Sequence, residues 1–177
     1  MVNFAGAPIA GARWTRERKA EILRSRVTST LTIVTSLTPE GRCQRLLNGS
    51  AIGYYGNTGT EIVDETMPAG RGFLAEVVSD WEAAAAHSPV PTAVLRTGQV
   101  LSHDGGFLGL QRPLFALGLG GRIGNGRQFL SWISLTDHVR ATRSPAVLAR
   151  PADYFGRVGL APTEVTYHRQ QERLAQR

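Results

Sequence analysis

The sequence predicts an α/β fold, a parallel sheet covered by helices, because strand-like and helix-like segments alternate along it. Three observations carry the prediction. Val2 to Ala5 reads as a short strand that closes on Gly6. Leu46-Leu47-Asn48-Gly49 leads into Ser50, and Thr92-Ala93-Val94-Leu95-Arg96 ends at Thr97-Gly98, so each reads as a buried strand with a turn at its carboxyl end. Between these runs lie two stretches with apolar residues at helical spacing.

In chain order, Gly6-Ala7-Pro8 turns the chain after the first strand. Thr15 is placed to cap a helix with Glu17 in its first turn, and Leu23, Val27, Leu31 and Val34 form the apolar stripe of that helix. Thr38-Pro39-Glu40-Gly41 ends it. Asn57 to Arg71 is a long polar loop, and loops of that length often serve function. Phe73, Val77, Trp81 and Ala84 or Ala85 mark a second amphipathic helix, closed by Pro89 and Pro91. Phe107 to Leu117 predicts a helix, Gly118 to Gly126 a glycine-rich loop, Phe129 to Ile133 a strand, and Thr136-Asp137 the start of a short helix. After about Arg143 the periodicity fades into a polar tail, with Gln170 to Arg177 as a frayed helix. Trp14, Trp81 and Trp132 are read as core.

The 177 residues fit one domain with a sizeable core. No run approaches the roughly 20 apolar residues of a membrane span. The first six residues lack the basic stretch of a secretory signal. One cysteine, Cys43, excludes an internal disulfide, and the cytoplasm is the simplest compartment. The net charge of +6 invites a nucleic-acid reading, but its distribution argues against one. Residues 1–50 carry eight basic and three acidic side chains, 51–110 two and seven, and 111–177 ten and four. No cluster interleaves arginine with aromatic residues. Basic flanks equally attract a phosphate-bearing cofactor or a sugar nucleotide. The four histidines, at 87, 103, 138 and 168, show no ligand spacing, so no metal site is expected.

The stretch with most chemistry is Ser50-Ala51-Ile52-Gly53-Tyr54-Tyr55-Gly56. In open α/β sheets ligands bind outside the carboxyl ends of the strands. A hydroxyl and two phenols at a strand end are therefore candidates to touch a reacting oxygen; the plain alternative is tyrosine packed as wall. Gly118-Leu119-Gly120-Gly121-Arg122-Ile123-Gly124 suggests a dinucleotide loop, but the Gly-x-Gly-x-x-Gly pattern needs glycine at 123, and the loop follows a helix rather than a strand. It reads as a substrate-side loop with Arg127 and Gln128 as phosphate or hydroxyl contacts. Asp137 reads as a helix cap rather than a catalyst.

Ser-Ala-x-Gly-Tyr-Tyr-Gly resembles the strand-end motif of the epimerase-like subgroup of extended short-chain dehydrogenase/reductases. Further motifs follow in family order: Asn3-Phe4-Ala5-Gly6, Arg13-Trp14-Thr15, Ser25-Arg26-Val27, Phe73-Leu74-Ala75-Glu76, Trp81-Glu82-Ala83-Ala84, Leu95-Arg96-Thr97-Gly98, Asp104-Gly105-Gly106, and Ser131-Trp132-Ile133 with Asp137. The resemblance implies a partial Rossmann-like sheet over residues 1–143 that binds NAD(P) and carries substrate-side loops, followed by a divergent tail over 144–177. It implies Asn3, Ala5, Gly6, Arg96, Thr97 and Gly98 beside the cofactor. The first strand, glycine-rich turn and helix of the family are not in this sequence, so it reads as shortened at its start, and shortened again after the Asp137 region.

In the wider superfamily a tyrosine acts as acid/base, a lysine four residues later lowers its pKa, and a serine orients the substrate oxygen. A phenol near pKa 10 needs such a cation to ionise at neutral pH. Here Ser50 stands at the serine position, but the Tyr-x-x-x-Lys position falls at about Phe73 to Val77, where neither group ionises. Lys19 is the sole lysine and lies on another helix. Catalysis would therefore use Tyr54 or Tyr55, with Arg96 or Arg127 as the cation. Two functions follow. One is an NAD(P)-dependent oxidoreductase or epimerase-like protein acting on a sugar nucleotide or related hydroxyl or carbonyl substrate. The other is a non-catalytic, shortened interaction protein with little cofactor binding, which would self-associate through an exposed sheet edge.

Overall fold

A computed structural model describes residues 1–122, 126 and 129–144 and the backbone of 156–160. The main sheet is parallel throughout. Its strands are β1 (Val2–Asn3), β2 (Leu46–Ala51), β3 (Thr92–Thr97) and β6 (Gly156–Leu160), adjacent in that order. Asn3 pairs with Asn48, Ser50 with Arg96 and Ala51 with Thr97. β6 lies inside the segment expected to be a tail and pairs with β3. A second, two-stranded parallel sheet joins β4 (Gln99–Ser102) to β5 (Trp132–Ser134). The helices are α1 (Arg16–Ser36), α2 (Phe73–Ala86), α3 (Gly106–Ala116) and α4 (Leu135–Thr142), with a 3-10 turn at Ile52–Tyr55.

Both long crossovers step in the same direction across the sheet, so right-handed connections put α1 and α2 on one face. They touch there: Trp81 Nε1 of α2 donates to Thr30 Oγ1 of α1 at 2.9 Å. The period of two along β2 decides what each residue meets. Leu46 packs with Val34, Leu37 and Val90, Asn48 meets Thr30, and Ser50 meets α2. On the opposite face Leu47 and Leu95 pack under Ala93, Ile133 and Ala141, so β5 and α4 cover that side.

Several expectations change. The buried stripe of α1 is Ile22, Arg26, Thr30 and Val34, one residue out of step with Leu23, Val27 and Leu31. The reason is polar: Thr30 accepts from Asn3 and Trp81, while Arg26 holds the carbonyls of Ile22 and Ala7. Of the three tryptophans, Trp81 is core, Trp132 is half-buried and Trp14 is 41% exposed, hung by Nε1 from the Ile9 carbonyl. The first strand ends at Asn3, because its side chain takes the Ala5 N–H and turns the chain. β4 falls in a stretch to which the sequence assigned no element, and the strand expected over Phe129 to Ile133 starts at Trp132. Ser134, not Asp137, caps α4; Asp137 answers by accepting the Ser134 hydroxyl at 2.8 Å. The frayed helix expected over Gln170 to Arg177 lies outside the described residues.

Candidate functional site

The carboxyl ends of β1, β2 and β3 lie side by side, and helices α1 and α2 start above them. This edge collects most of the singled-out residues. Thr15 caps α1 by accepting from the Arg18 N–H at 3.2 Å. β2 runs straight into the 3-10 turn, which seats Tyr54 and Tyr55 against Val78 of α2. The polar loop after Gly56 then folds back, with the Gly70 N–H on the Tyr54 carbonyl at 2.9 Å. A Cβ at Gly70 would fall inside the Tyr55 carbonyl, so this return needs glycine.

Beneath the edge lies a buried polar cluster. Glu82 of α2 stands between Ser50 of β2 and Arg96 of β3. Its Oε1 accepts from Ser50 Oγ at 2.6 Å and from Arg96 Nε at 2.8 Å, and its Oε2 accepts from Arg96 Nη2 at 2.8 Å. The fork of two charge-assisted bonds is the strongest geometry for such a pair. The remaining guanidinium nitrogen, Nη1, donates to Tyr55 Oη at 3.0 Å. The guanidinium carbon lies 3.4 Å from the centre of the Tyr54 ring, which meets the Tyr55 ring edge to face. Arg96 is wholly buried, and Ser50, Glu82, Tyr54 and Tyr55 nearly so.

The charges follow from this packing. Burial pulls Arg96 down, but the hydrogen bonds to Glu82 and Tyr55 and the carboxylate charge outweigh it, so its pKa rises. Burial pushes the Tyr55 phenol above its ordinary value, against the bond and charge of Arg96. An arginine therefore stands beside the phenol as expected, yet it does not make a phenolate at neutral pH. The arrangement holds a neutral phenol with its oxygen already hydrogen-bonded.

The residues expected beside the cofactor divide. Asn3 spends its amide inside, on Thr30 at 3.0 Å, Asn48 at 2.6 Å and the Ala5 N–H at 3.0 Å. Arg96 has all three guanidinium nitrogens engaged. Ser50 points to α2, and its neighbour Ala51 takes the alternate face. Ala5 and Gly6 are exposed, while Thr97 and Gly98 are half-buried. These four, with Ala51, present backbone and at most a small side chain at three adjacent strand ends. That low shelf fits the flat ring end of a dinucleotide. In the main sheet, among the described residues, no short glycine-rich turn leads from a strand directly into a helix N-terminus, the arrangement that holds a pyrophosphate; Gly105 and Gly106 make such a turn between β4 and α3 of the second sheet. Arg127 and Gln128 lie outside the described residues.

Two residues were not singled out as site residues by sequence. Glu82 looked like one more polar residue of an amphipathic helix, and only the register of α2 against β2 and β3 shows its role. Lys19 was set aside as remote. The fold brings its Nζ to 5.1 Å from the centre of the Phe73 ring, which also meets Trp14 edge-on at 5.4 Å.

No protein-family model matches the chain. It is 47% identical over 144 residues to an epimerase family protein of Mycobacterium tuberculosis, a match over 80% of this chain and 48% of that protein. The human epimerase family protein SDR39U1 (isoform 2), crystallised with NADPH, superposes with a TM-score of 0.75 at 29% identity, over 89% of this chain and 55% of that one. A nucleoside-diphosphate sugar epimerase of Corynebacterium glutamicum superposes with a TM-score of 0.70 at 31% identity, over 94% of this chain and 36% of that one. The chain spans about half the length of the curated relatives it matches. With the strand-end motif, the parallel sheet and these relatives in agreement, the chain belongs to the epimerase-like group of extended short-chain dehydrogenase/reductases.

Proposed function

We propose that this chain provides the central sheet and part of the substrate side of an NAD(P)-dependent, epimerase-like oxidoreductase. Its substrate would be a sugar nucleotide or a related compound with a hydroxyl or carbonyl group. The observation that carries this reading is the likeness, over most of the chain, to a relative crystallised with NADPH. The name of the Corynebacterium relative supports the substrate class. When bound, the cofactor supplies or accepts a hydride.

The chain's own residues would do the rest. The backbone of Ala5, Gly6, Thr97 and Gly98 would line the ring end of the cofactor. Asn3 keeps the β1 turn in shape from below. Ser50 anchors Glu82, Glu82 holds Arg96, and Arg96 holds Tyr55, which supports Tyr55 as the group that would hydrogen-bond a substrate oxygen. Tyr54 gives Arg96 an aromatic face to lie on. Arg127 and Gln128 remain candidates for substrate phosphate or hydroxyl groups.

A panel of nucleotide sugars offered with NAD or NADP, read by nicotinamide absorbance and by sugar stereochemistry, tests this. Turnover that falls in Tyr55→Phe supports it. Turnover unchanged in both Tyr54→Phe and Tyr55→Phe removes the two phenols from the chemistry. The resemblance also supports a second reading, an interaction protein without turnover, because it puts the superfamily's ionising pair at about Phe73 and Val77, and neither side chain ionises. That reading predicts no product from any member of the panel.

A further inference from the structure

The reading of Tyr55 as an acid/base group leaves open which way its proton moves, and the buried cluster bears on that. An arginine beside a phenol ordinarily favours phenolate. Here the cation is already matched. One edge of the Arg96 guanidinium, Nε with Nη2, is closed by the Glu82 carboxylate, at 2.8 Å each. Only Nη1 is left for Tyr55, at 3.0 Å. A guanidinium has no acceptor, so the phenol oxygen must accept in that bond and its own proton is left for another partner. No acceptor for that proton occurs among the described residues.

We propose that Glu82 is a positioning residue that keeps Tyr55 a neutral hydrogen-bond donor by neutralising Arg96. The site would then offer a hydrogen bond to a carbonyl or other acceptor oxygen, rather than draw a proton from a hydroxyl. The groups that face Tyr55 are Arg96 from β3, Glu82 from α2, Glu65 from the long loop and Tyr54 from its own turn. Of these only Arg96 favours phenolate. Glu65 and Glu82 oppose it, as does burial. Ser50 locks the carboxylate in place from the strand side.

This rests on the proposed role of Tyr55, but its test needs no cofactor, so failure to bind NADPH leaves the result intact. The ultraviolet signal of tyrosinate is followed against pH in the full chain and in Tyr55→Phe, and the difference isolates Tyr55. It should ionise at or above the value of free tyrosine, about 10. If alkali unfolds the protein first, Tyr55 still un-ionised at that point gives the same answer. Glu82→Gln should lower the Tyr55 transition by about one pH unit, a tenfold change in proton affinity, because the charge of Arg96 is then unopposed. Glu82→Asp, which keeps the charge, should follow the wild type; a purely structural role would treat Gln and Asp alike. Should Glu82→Gln not fold, the wild-type difference curve decides alone. A Tyr55 that ionises below about pH 9 in the wild type overturns the proposal. So does a folded Glu82→Gln that leaves the transition unmoved.

Discussion

Glu82 and Arg96 form an ion pair whose side chains are 5% and 0% exposed. Removing one partner from such a pair strands the other charge out of water, which typically costs about 3–5 kcal/mol. Arg96→Met should therefore lower the denaturation midpoint sharply, and Glu82→Gln should do the same. The double variant should recover much of the loss, since no charge is left unpaired; a double variant as unstable as the sum of the two singles would contradict the pairing. His138 carries the pH dependence. It is half-buried against the Phe4 ring at 5.4 Å, and its Nδ1 has no hydrogen-bond partner among the described residues. Burial holds its pKa below 6.5, so the folded state prefers the neutral ring. That stability is fully present above pH about 6.5 and is lost as pH falls through the lower folded value. Melting temperature should drop between pH 7 and pH 5, and His138→Phe should flatten the drop. At this scale the sequence was only partly legible. Ser50, Tyr54, Tyr55 and Arg96 could be singled out by type and place, but which of two alternating faces Ser50 takes, and that Glu82 meets it, depends on packing between elements far apart in the chain.

The strands β1, β2 and β3 and the two long helices were legible because each is bounded by glycine, proline or a capping residue. The face of α1 was not, since its buried stripe contains Arg26 and Thr30, which an apolar count passes over. Those two side chains bond the strand ends and the Ala7 carbonyl, so polar satisfaction sets the rotation of the helix there. β4 was missed because four residues, none of them buried, carry too short a pattern to mark a strand. Gly49 shows how tightly β2 is enclosed. A Cβ there would lie 2.8 Å from Phe4 and 2.9 Å from Trp81. Gly49→Ala should therefore cost about 1–3 kcal/mol of stability, read by chemical denaturation. A neutral result would mean that the two rings move aside freely.

On the scale of the whole molecule, the chain spans about half the length of the curated relatives it matches. Among the described residues β1 is an edge strand, with Met1 and Val2 more than half exposed. α3 and the turn after it show Leu110, Leu114, Phe115, Leu117 and Leu119 to solvent. Apolar exposure on this scale marks surfaces that seek partners. The chain is expected to self-associate with rising concentration, and sedimentation velocity should show it; a strictly monomeric chain at high concentration would count against that. No described helix is long and apolar enough to cross a membrane. The fold class was legible from the alternation of elements, whereas the second sheet and β6 depend on contacts between segments with weak patterns of their own. The family membership makes cofactor binding the central claim. It is tested most directly by calorimetric titration of the folded chain with NADPH and NADH. Saturable binding in the micromolar range is the predicted result. No heat of binding at millimolar cofactor, in a chain whose fold is shown by circular dichroism, would contradict it.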